Sequence, residues 1–236
     1  MKNYKYLVVN GCSFSTGCGC KDAEKERFSK LLSDKLKCEE INIGKNGGSN
    51  DRAFRTTFEW IQTNQDKVKE SLFIIGLTEL YRKDLYSNVN QRYRAISVPE
   101  LYEGQTGGAD ASIKLSMPEE DVKKYAEIDL KYLTSDVPLF NNLNRQLILL
   151  DSYIKVNGGR LIFFTAMSRY DRRYTTKIDG LEELMIGGYN TWRKFISSYN
   201  DSYKGTHPIG DDHKILSDIL YEYLNEKVKI LTCKWL

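Results

Sequence analysis

Short, nearly continuous apolar runs alternate with stretches of helical period along the first part of the chain. Tyr6 to Asn10 has the length and composition of a buried strand, and it stops at the small-residue loop Gly11-Cys12-Ser13-Phe14-Ser15-Thr16-Gly17-Cys18-Gly19. From Glu24 to Lys37, Phe28, Leu31, Leu32, Lys35 and Leu36 recur at helical spacing with charges between them, which predicts an amphipathic helix. Glu40 to Ile43 reads as a second short strand. The loop from Gly44 to Asp51 follows, and Ser49 or Asn50 is placed to cap a helix from about Asp51 to Gln65. Ser71 to Leu77 is apolar almost throughout, as expected of a strand covered on both faces. Strand, loop and helix recur in this order through roughly the first 90 residues, so an α/β fold is expected, with a parallel sheet and helices on both faces.

The pattern breaks from Asn88 to Ser135 into Gly-, Pro- and charge-containing stretches, expected to be an insertion over the end of the sheet. Regularity returns with a helix over Leu139 to Val156, ended by Asn157-Gly158-Gly159, and a strand over Arg160 to Thr165. Met167 to Gly188 is again irregular. A short helix is expected over Tyr189 to Ser198, and a loop with His207-Pro208 leads to an amphipathic helix from Asp211 to Asn225. That helix should turn Ile215, Leu216, Ile219, Leu220, Tyr223 and Leu224 to the core. Lys227 to Leu236 is assigned an edge strand. The reading is one domain over residues 1–236, with insertions at about 88–135 and 167–188.

Composition narrows the function classes. Of 236 residues, 41% are apolar and 28% charged, which excludes disorder as the dominant state. Lys and Arg total 35 against 32 Asp and Glu, and a net charge of +3 gives no electrostatic reason to expect nucleic acid or an anionic membrane as partner. The apolar runs fall far short of the ~20 residues that span a bilayer, and the N-terminus lacks the apolar stretch of a secretory leader. The five cysteines, Cys12, Cys18, Cys20, Cys38 and Cys233, are odd in number and lack framework spacing, so a reduced, cytoplasmic protein is expected. Cys18-Gly19-Cys20 has no second Cys pair and no nearby His, and reads as free thiols rather than a metal site. No metal and no cofactor are expected.

In an open parallel sheet, ligands bind beyond the carboxyl ends of the strands, which directs attention to Ser13, to Gly47 through Asn50, and to Thr78-Glu79. Ser13 directly follows a strand and is flanked by Gly11 and Gly17, which permit the tight turn an exposed nucleophile needs. A Walker A loop needs four residues between its glycines and then Lys-Ser/Thr, whereas five residues separate Gly11 from Gly17 and Cys18 follows. No Gly-x-Gly-x-x-Gly occurs in either loop, so a nucleotide cofactor is not expected. A serine nucleophile needs a base, and the chain offers only His207 and His213. His207 sits in a loop that can cross the strand ends. His213 falls in the first turn of the last helix, where the dipole disfavours imidazolium, and it is expected to be a solvated surface residue.

These segments resemble the blocks of the SGNH (GDSL-type) hydrolases. Gly11-Cys12-Ser13-Phe14-Ser15-Thr16-Gly17 is similar to the first block, which implies Ser13 as nucleophile. Asn42-Ile43-Gly44-Lys45-Asn46-Gly47-Gly48-Ser49-Asn50 is similar to the second, which implies the Gly47 N–H as an oxyanion donor. Ile75-Gly76-Leu77-Thr78-Glu79 occupies the place of the third block, Gly-x-Asn-Asp, and His207-Pro208 resembles the fifth, Asp-x-x-His-Pro. Thr78 stands where the family has its oxyanion-hole Asn, so a side-chain amide donor is missing unless Asn50 reaches in. Lys204 stands where the family has its Asp, which leaves a Ser13–His207 dyad oriented by a backbone carbonyl or by Asp201, Asp211 or Asp212. The resemblance implies a three-layer α/β/α sandwich with a mostly parallel, flavodoxin-like sheet.

It also implies an enzyme, a serine esterase or deacylase working through an acyl-enzyme on a small-molecule or carbohydrate ester, such as a sugar O-acetyl group. The alternatives carried forward are a catalytically silent glycan- or protein-binding domain and an acyltransferase on the same scaffold. Tyr93, Tyr102, Tyr125, Tyr132, Tyr170 and Tyr174 in the irregular segments can stack on sugars, but packing within the insertions is the expectation for most of them. Arg169, Arg172 and Arg173 are read as a solvated basic face.

Overall fold

The structure is a computed structural model that describes residues 3–102, 116–167, 181, 183, 184, 186, 189–200, 203 and 207–225. β1 (Tyr6–Gly11) runs into a single helical turn, α1 (Ser13–Thr16). α2 (Ala23–Glu26) and α3 (Phe28–Leu36) lead to β2 (Glu39–Asn42), and α4 (Asn50–Thr63) and α5 (Gln65–Val68) lead to β3 (Ser71–Leu77). A hairpin of β4 (Arg82–Ser87) and β5 (Arg92–Ser97) follows, then α6 (Val98–Tyr102) and α7 (Glu119–Ile128), which runs on into a π-helical turn at Asp129–Leu133. α8 (Asp136–Val156), β6 (Arg160–Thr165), α9 (Trp192–Tyr199) and α10 (Gly210–Leu224) complete the described elements.

The main sheet has four parallel strands in the order β2-β1-β3-β6. Its faces divide by residue parity, as the two-residue period of a strand requires. Leu7, Val9, Leu72, Ile74, Ile162 and Phe164 face α3, α9 and α10, where Phe28, Leu32, Trp192, Leu216 and Leu220 pack on them. Val8, Phe73, Ile75, Leu161 and Phe163 face α4 and α8, against Phe54, Ile61, Leu147, Leu150 and Ile154. This is the expected three-layer α/β/α sandwich. Every residue of β3 is buried, because helices cover both of its faces.

Local details depart from expectation in instructive ways. The helix expected over Glu24 to Lys37 is broken at Arg27, whose extended backbone (φ −63°, ψ 143°) separates α2 from α3. The break lets the Arg27 guanidinium grip Glu40 of β2 in a bidentate pair, Nε and one terminal nitrogen each 2.7 Å from a carboxylate oxygen. It also leaves the Phe28 N–H without a helical acceptor, and His213 Nδ1 takes it at 3.1 Å. His213 is therefore not the solvated surface residue expected of it. It is fully buried, stacked on Phe28 and edge-on to Trp192, and burial drives its pKa down to about 3.

The segment after Ser87 is more regular than the insertion expected there. The hairpin begins at Arg82, Gln91 turns it with φ +50°, and α6 and α7 close a satellite core of Ile96, Val98, Leu101, Val122 and Ala126. Of its tyrosines, Tyr125 packs against that core, whereas Tyr93, Tyr102 and Tyr132 are exposed, contrary to the expected packing. Residue 183 bridges to Phe163 in parallel, extending the sheet beyond β6 at one point. Tyr170, Tyr174, the Arg169, Arg172 and Arg173 cluster, Asp201, Lys204 and the edge strand expected over residues 227–236 lie outside the described residues.

Candidate active site

The loops beyond the carboxyl ends of β1, β2 and β3 are tied to one another through backbone groups. Gly11, the last residue of β1, lies beside Gly76 of β3 in register. A side chain at either would collide with Ser15, since a Cβ on Gly11 would lie 2.3 Å from the Ser15 Oγ and one on Gly76 2.7 Å from it. The absence of side chains at both positions thus lets α1 turn directly off the sheet. Ser13 is the first residue of α1, 7% exposed, and the turn closes on Gly17 in the left-handed region (φ +78°).

The second loop is fastened onto this turn. Lys45 N–H donates to the Gly11 carbonyl at 3.1 Å, Asn42 Nδ2 donates to the Ser15 carbonyl at 2.9 Å, and Thr16 bonds Asn46. Gly48 N–H closes a tight turn on the Lys45 carbonyl at 2.9 Å, with Gly47 at its positive-φ position (φ +70°). Gly48 lies against the Gly11 carbonyl and the Cys12 backbone, so Gly47 is held next to the start of α1. Ser49 then caps α4, accepting from the Arg52 N–H at 3.1 Å, which settles the choice between Ser49 and Asn50.

Asn50, released from capping, reaches across to the third loop. Its Oδ1 accepts from the Thr78 N–H at 2.9 Å and its Nδ2 donates to the Thr78 carbonyl at 3.1 Å. Asn50 and Thr78 are both buried, so this pairing fixes the backbone after β3. The amide that was to substitute for the missing oxyanion-hole Asn therefore has one N–H committed to the backbone of Thr78. The Thr78 hydroxyl accepts from Arg82 at 3.3 Å, and Arg82 lies 3.7 Å from Glu79.

His207 approaches from the other end of the chain. Its ring lies 5.9 Å from that of Phe14, the neighbour of Ser13, and its Cβ packs over Gly19. The ring of His207 thus lies near the residue that follows Ser13, and no hydrogen bond joins Ser13 to His207 among the described residues. Burial, and then the nearby positive charge of Arg82, lower the His207 pKa below its ordinary value, which keeps the imidazole neutral at pH 7. Both effects act in that direction, and no described carboxylate opposes them. Asp212 cannot serve as orienting acid in this arrangement, since it accepts from the Tyr199 hydroxyl at 2.7 Å and from the Ile209 N–H at 2.9 Å. Asp211 is exposed.

Arg82 is the site residue that the sequence reading missed. Its side chain is 12% exposed and touches Thr78, Glu79 and the electrostatic surroundings of His207. Nothing in the local pattern marks it, because the recurring strand, loop and helix gave no sign of the hairpin that it opens. The thiols of Cys20 and Cys38 are pushed up to about 11, chiefly by burial, and are weak nucleophiles at neutral pH.

Residues 14–183 match the model of a protein family described as a family of unknown function, DUF6071. The chain belongs to the DUF6071 family. The DUF6071 match begins one residue after Ser13 and ends before His207, so it covers β2, β3, β6 and the second and third loops but neither β1 nor the candidate residues Ser13 and His207. No curated protein matches the sequence. Among solved structures, this DUF6071 chain is similar to the psychrotrophic esterase EstA from Pseudoalteromonas sp., in a structure inhibited by monoethylphosphonate. The TM-score is 0.52 at 12% identity, with 94% of this chain and 98% of that one covered. It is similar also to TesA, with TM-score 0.52, 11% identity, and coverage of 94% and 99%. These likenesses establish for this DUF6071 protein the α/β fold of the SGNH (GDSL-type) hydrolases.

Proposed function

We propose that this protein is a serine ester hydrolase of the SGNH type, with Ser13 as nucleophile and His207 as its base. What supports the reading is that Ser13 opens the turn after β1, the loop carrying Gly47 is fastened to that turn, and the half-buried ring of His207 lies 5.9 Å from that of Phe14. In the reaction His207 takes the Ser13 proton, and the Ser13 oxygen attacks the ester carbonyl. The backbone N–H groups of Ser13 and Gly47 hold the oxyanion, and collapse expels the alcohol, which leaves with the proton returned by His207. Water attacks the acyl-enzyme in the same way and frees the acid. Dyad hydrogen bonds commonly tighten only when substrate binds, which reconciles the lack of a Ser13–His207 hydrogen bond among the described residues with this role. The substrate we propose is a small ester, such as an O-acetyl group on a carbohydrate.

The experiment is hydrolysis of p-nitrophenyl acetate together with labelling by a fluorophosphonate, a probe suggested by the phosphonate-inhibited Pseudoalteromonas esterase. Wild-type protein is expected to hydrolyse the ester and take the label, and Ser13→Ala to lose both while melting at the same temperature. Labelling that survives in Ser13→Ala would remove Ser13 as nucleophile. One observation favours a second reading, a silent binding domain: the charges acting on His207 include Arg82 and no described carboxylate. That reading expects neither turnover nor label in the wild type.

A further inference from the structure

Beyond the candidate dyad, a cavity of about 270 Å³ opens between the start of α4, the start of β4 and the first turns of α8. Leu80, Leu139 and Leu143 form its apolar wall, and Asn50, Asp84 and Gln146 are among its polar lining. Two buried acceptor atoms in this lining have no hydrogen-bond partner: Asp84 Oδ1 and Gln146 Oε1. The Asp84 side chain is 3% exposed, and the two contacts that Arg55 makes with it, each 2.9 Å, both go to the other carboxylate oxygen, Oδ2. Gln146 is oriented by Asp51, whose Oδ1 accepts from Gln146 Nε2 at 3.0 Å, so the amide oxygen is the atom left over.

An unsatisfied buried acceptor costs roughly as much as a lost hydrogen bond, and two in one cavity call for an occupant that brings donors. Three of the four charged residues of the lining have an ion-pair partner, and the fourth, Asp51, accepts from Gln146. Asp84 is paired with Arg55, Lys83 with Asp129, and Arg82 faces Glu79. A further cation would meet Arg82 and Lys83 in the lining, and an anion would meet the bare oxygens of Asp84 and Gln146. What remains unpaired is hydrogen-bond acceptance, in a lining whose two acids, Asp51 and Asp84, balance its two bases, Arg82 and Lys83. We infer that this cavity is a binding site for a small neutral polyol, a sugar ring or cyclitol, whose neighbouring hydroxyls donate to Asp84 Oδ1 and Gln146 Oε1 while its carbon face lies on the leucines. The inference concerns binding alone and does not require Ser13 to be a nucleophile.

The test is a titration of the full chain with D-xylose, D-glucose and myo-inositol, followed by amide shifts in two-dimensional NMR, with spermidine as a cationic control. At least one polyol is expected to give saturable shifts at Leu80, Asn142, Leu143 and Gln146, with the millimolar affinity open to so small a ligand. Gln146→Met removes the acceptor, keeps the length and suits a half-exposed helix position. It is expected to weaken binding about five- to tenfold with its melting temperature unchanged. No saturable shift with any polyol means the cavity holds solvent only and overturns the proposal. So does equal binding by Gln146→Met, or a stronger response of the same amides to spermidine.

Discussion

The two histidines of this chain lie a short stretch apart, and the regions around them assign them opposite tasks. His213 is enclosed by Phe28 and Trp192, holds the first N–H of α3 and is locked neutral by burial. His207 is half-buried in the loop before α10, touches the site through Phe14, and is kept neutral partly by the charge of Arg82. The lesson is that burial and a neighbouring charge produce the same protonation state for different ends. In one region the neutral imidazole is an acceptor that completes a helix, and in the other it is the base we propose. Scarcity of histidine in the sequence therefore singled out His207 as the candidate base, and left His213 to the surface, where the fold does not put it.

The sharpest way to break this comparison is to remove each ring. His207→Ala is expected to lower kcat/KM for p-nitrophenyl acetate by about 10³-fold with no change in melting temperature, checked by steady-state kinetics and calorimetry. His213→Ala is expected to do the reverse. It leaves the Phe28 N–H buried without its acceptor and opens a cavity, at a cost of about 3 kcal/mol in urea unfolding, with kcat/KM of the folded fraction retained. If His213→Ala instead abolished turnover at full stability, the assignment of roles would be reversed.

A pH series sharpens it further. The His213 pKa is near 3 when folded and near its ordinary 6.5 when unfolded, so between these values the unfolded chain binds the extra proton. Stability from this group is fully present above about pH 6.5 and is lost as pH falls toward 3, by on the order of 4 kcal/mol. Urea midpoints measured across that window should fall with acid in the wild type and fall less steeply in His213→Gln. Ser49→Ala, which removes the cap of α4, is expected to cost about 1 kcal/mol and to disturb the Asn50–Thr78 pairing only slightly, as read by urea unfolding and kcat/KM. The smallest effect is that of Arg82→Gln. Removing the cation lets the His207 pKa rise, so the acid limb of the kcat/KM profile should move to higher pH, while a limb that stays in place would mean Arg82 does not act on the base.

Much of this protein was legible along the chain because its signals are local. The period-two and continuous apolar runs of Tyr6 to Asn10, Ser71 to Leu77 and Arg160 to Thr165 can be buried only as strands between helices, and the loops after the first three strands had to lie together at one end of a parallel sheet. Ser13, Gly47, Asn50, Thr78 and His207 were all marked by such local context. What tertiary structure alone decided depends on partners far away in sequence. The break at Arg27 answers to Glu40 and His213, the amide of Asn50 is claimed by Thr78, and Arg82 joins the site because it opens a hairpin that the recurring strand, loop and helix did not announce. Burial of His213 likewise follows from α10 lying on α3, and the unpaired acceptors of Asp84 and Gln146 share a cavity only because β4 and α8 both pack on α4. Hydrophobic period is a property of a segment and survives being read alone, whereas the satisfaction of a polar atom is a property of a place, and the place forms only on folding.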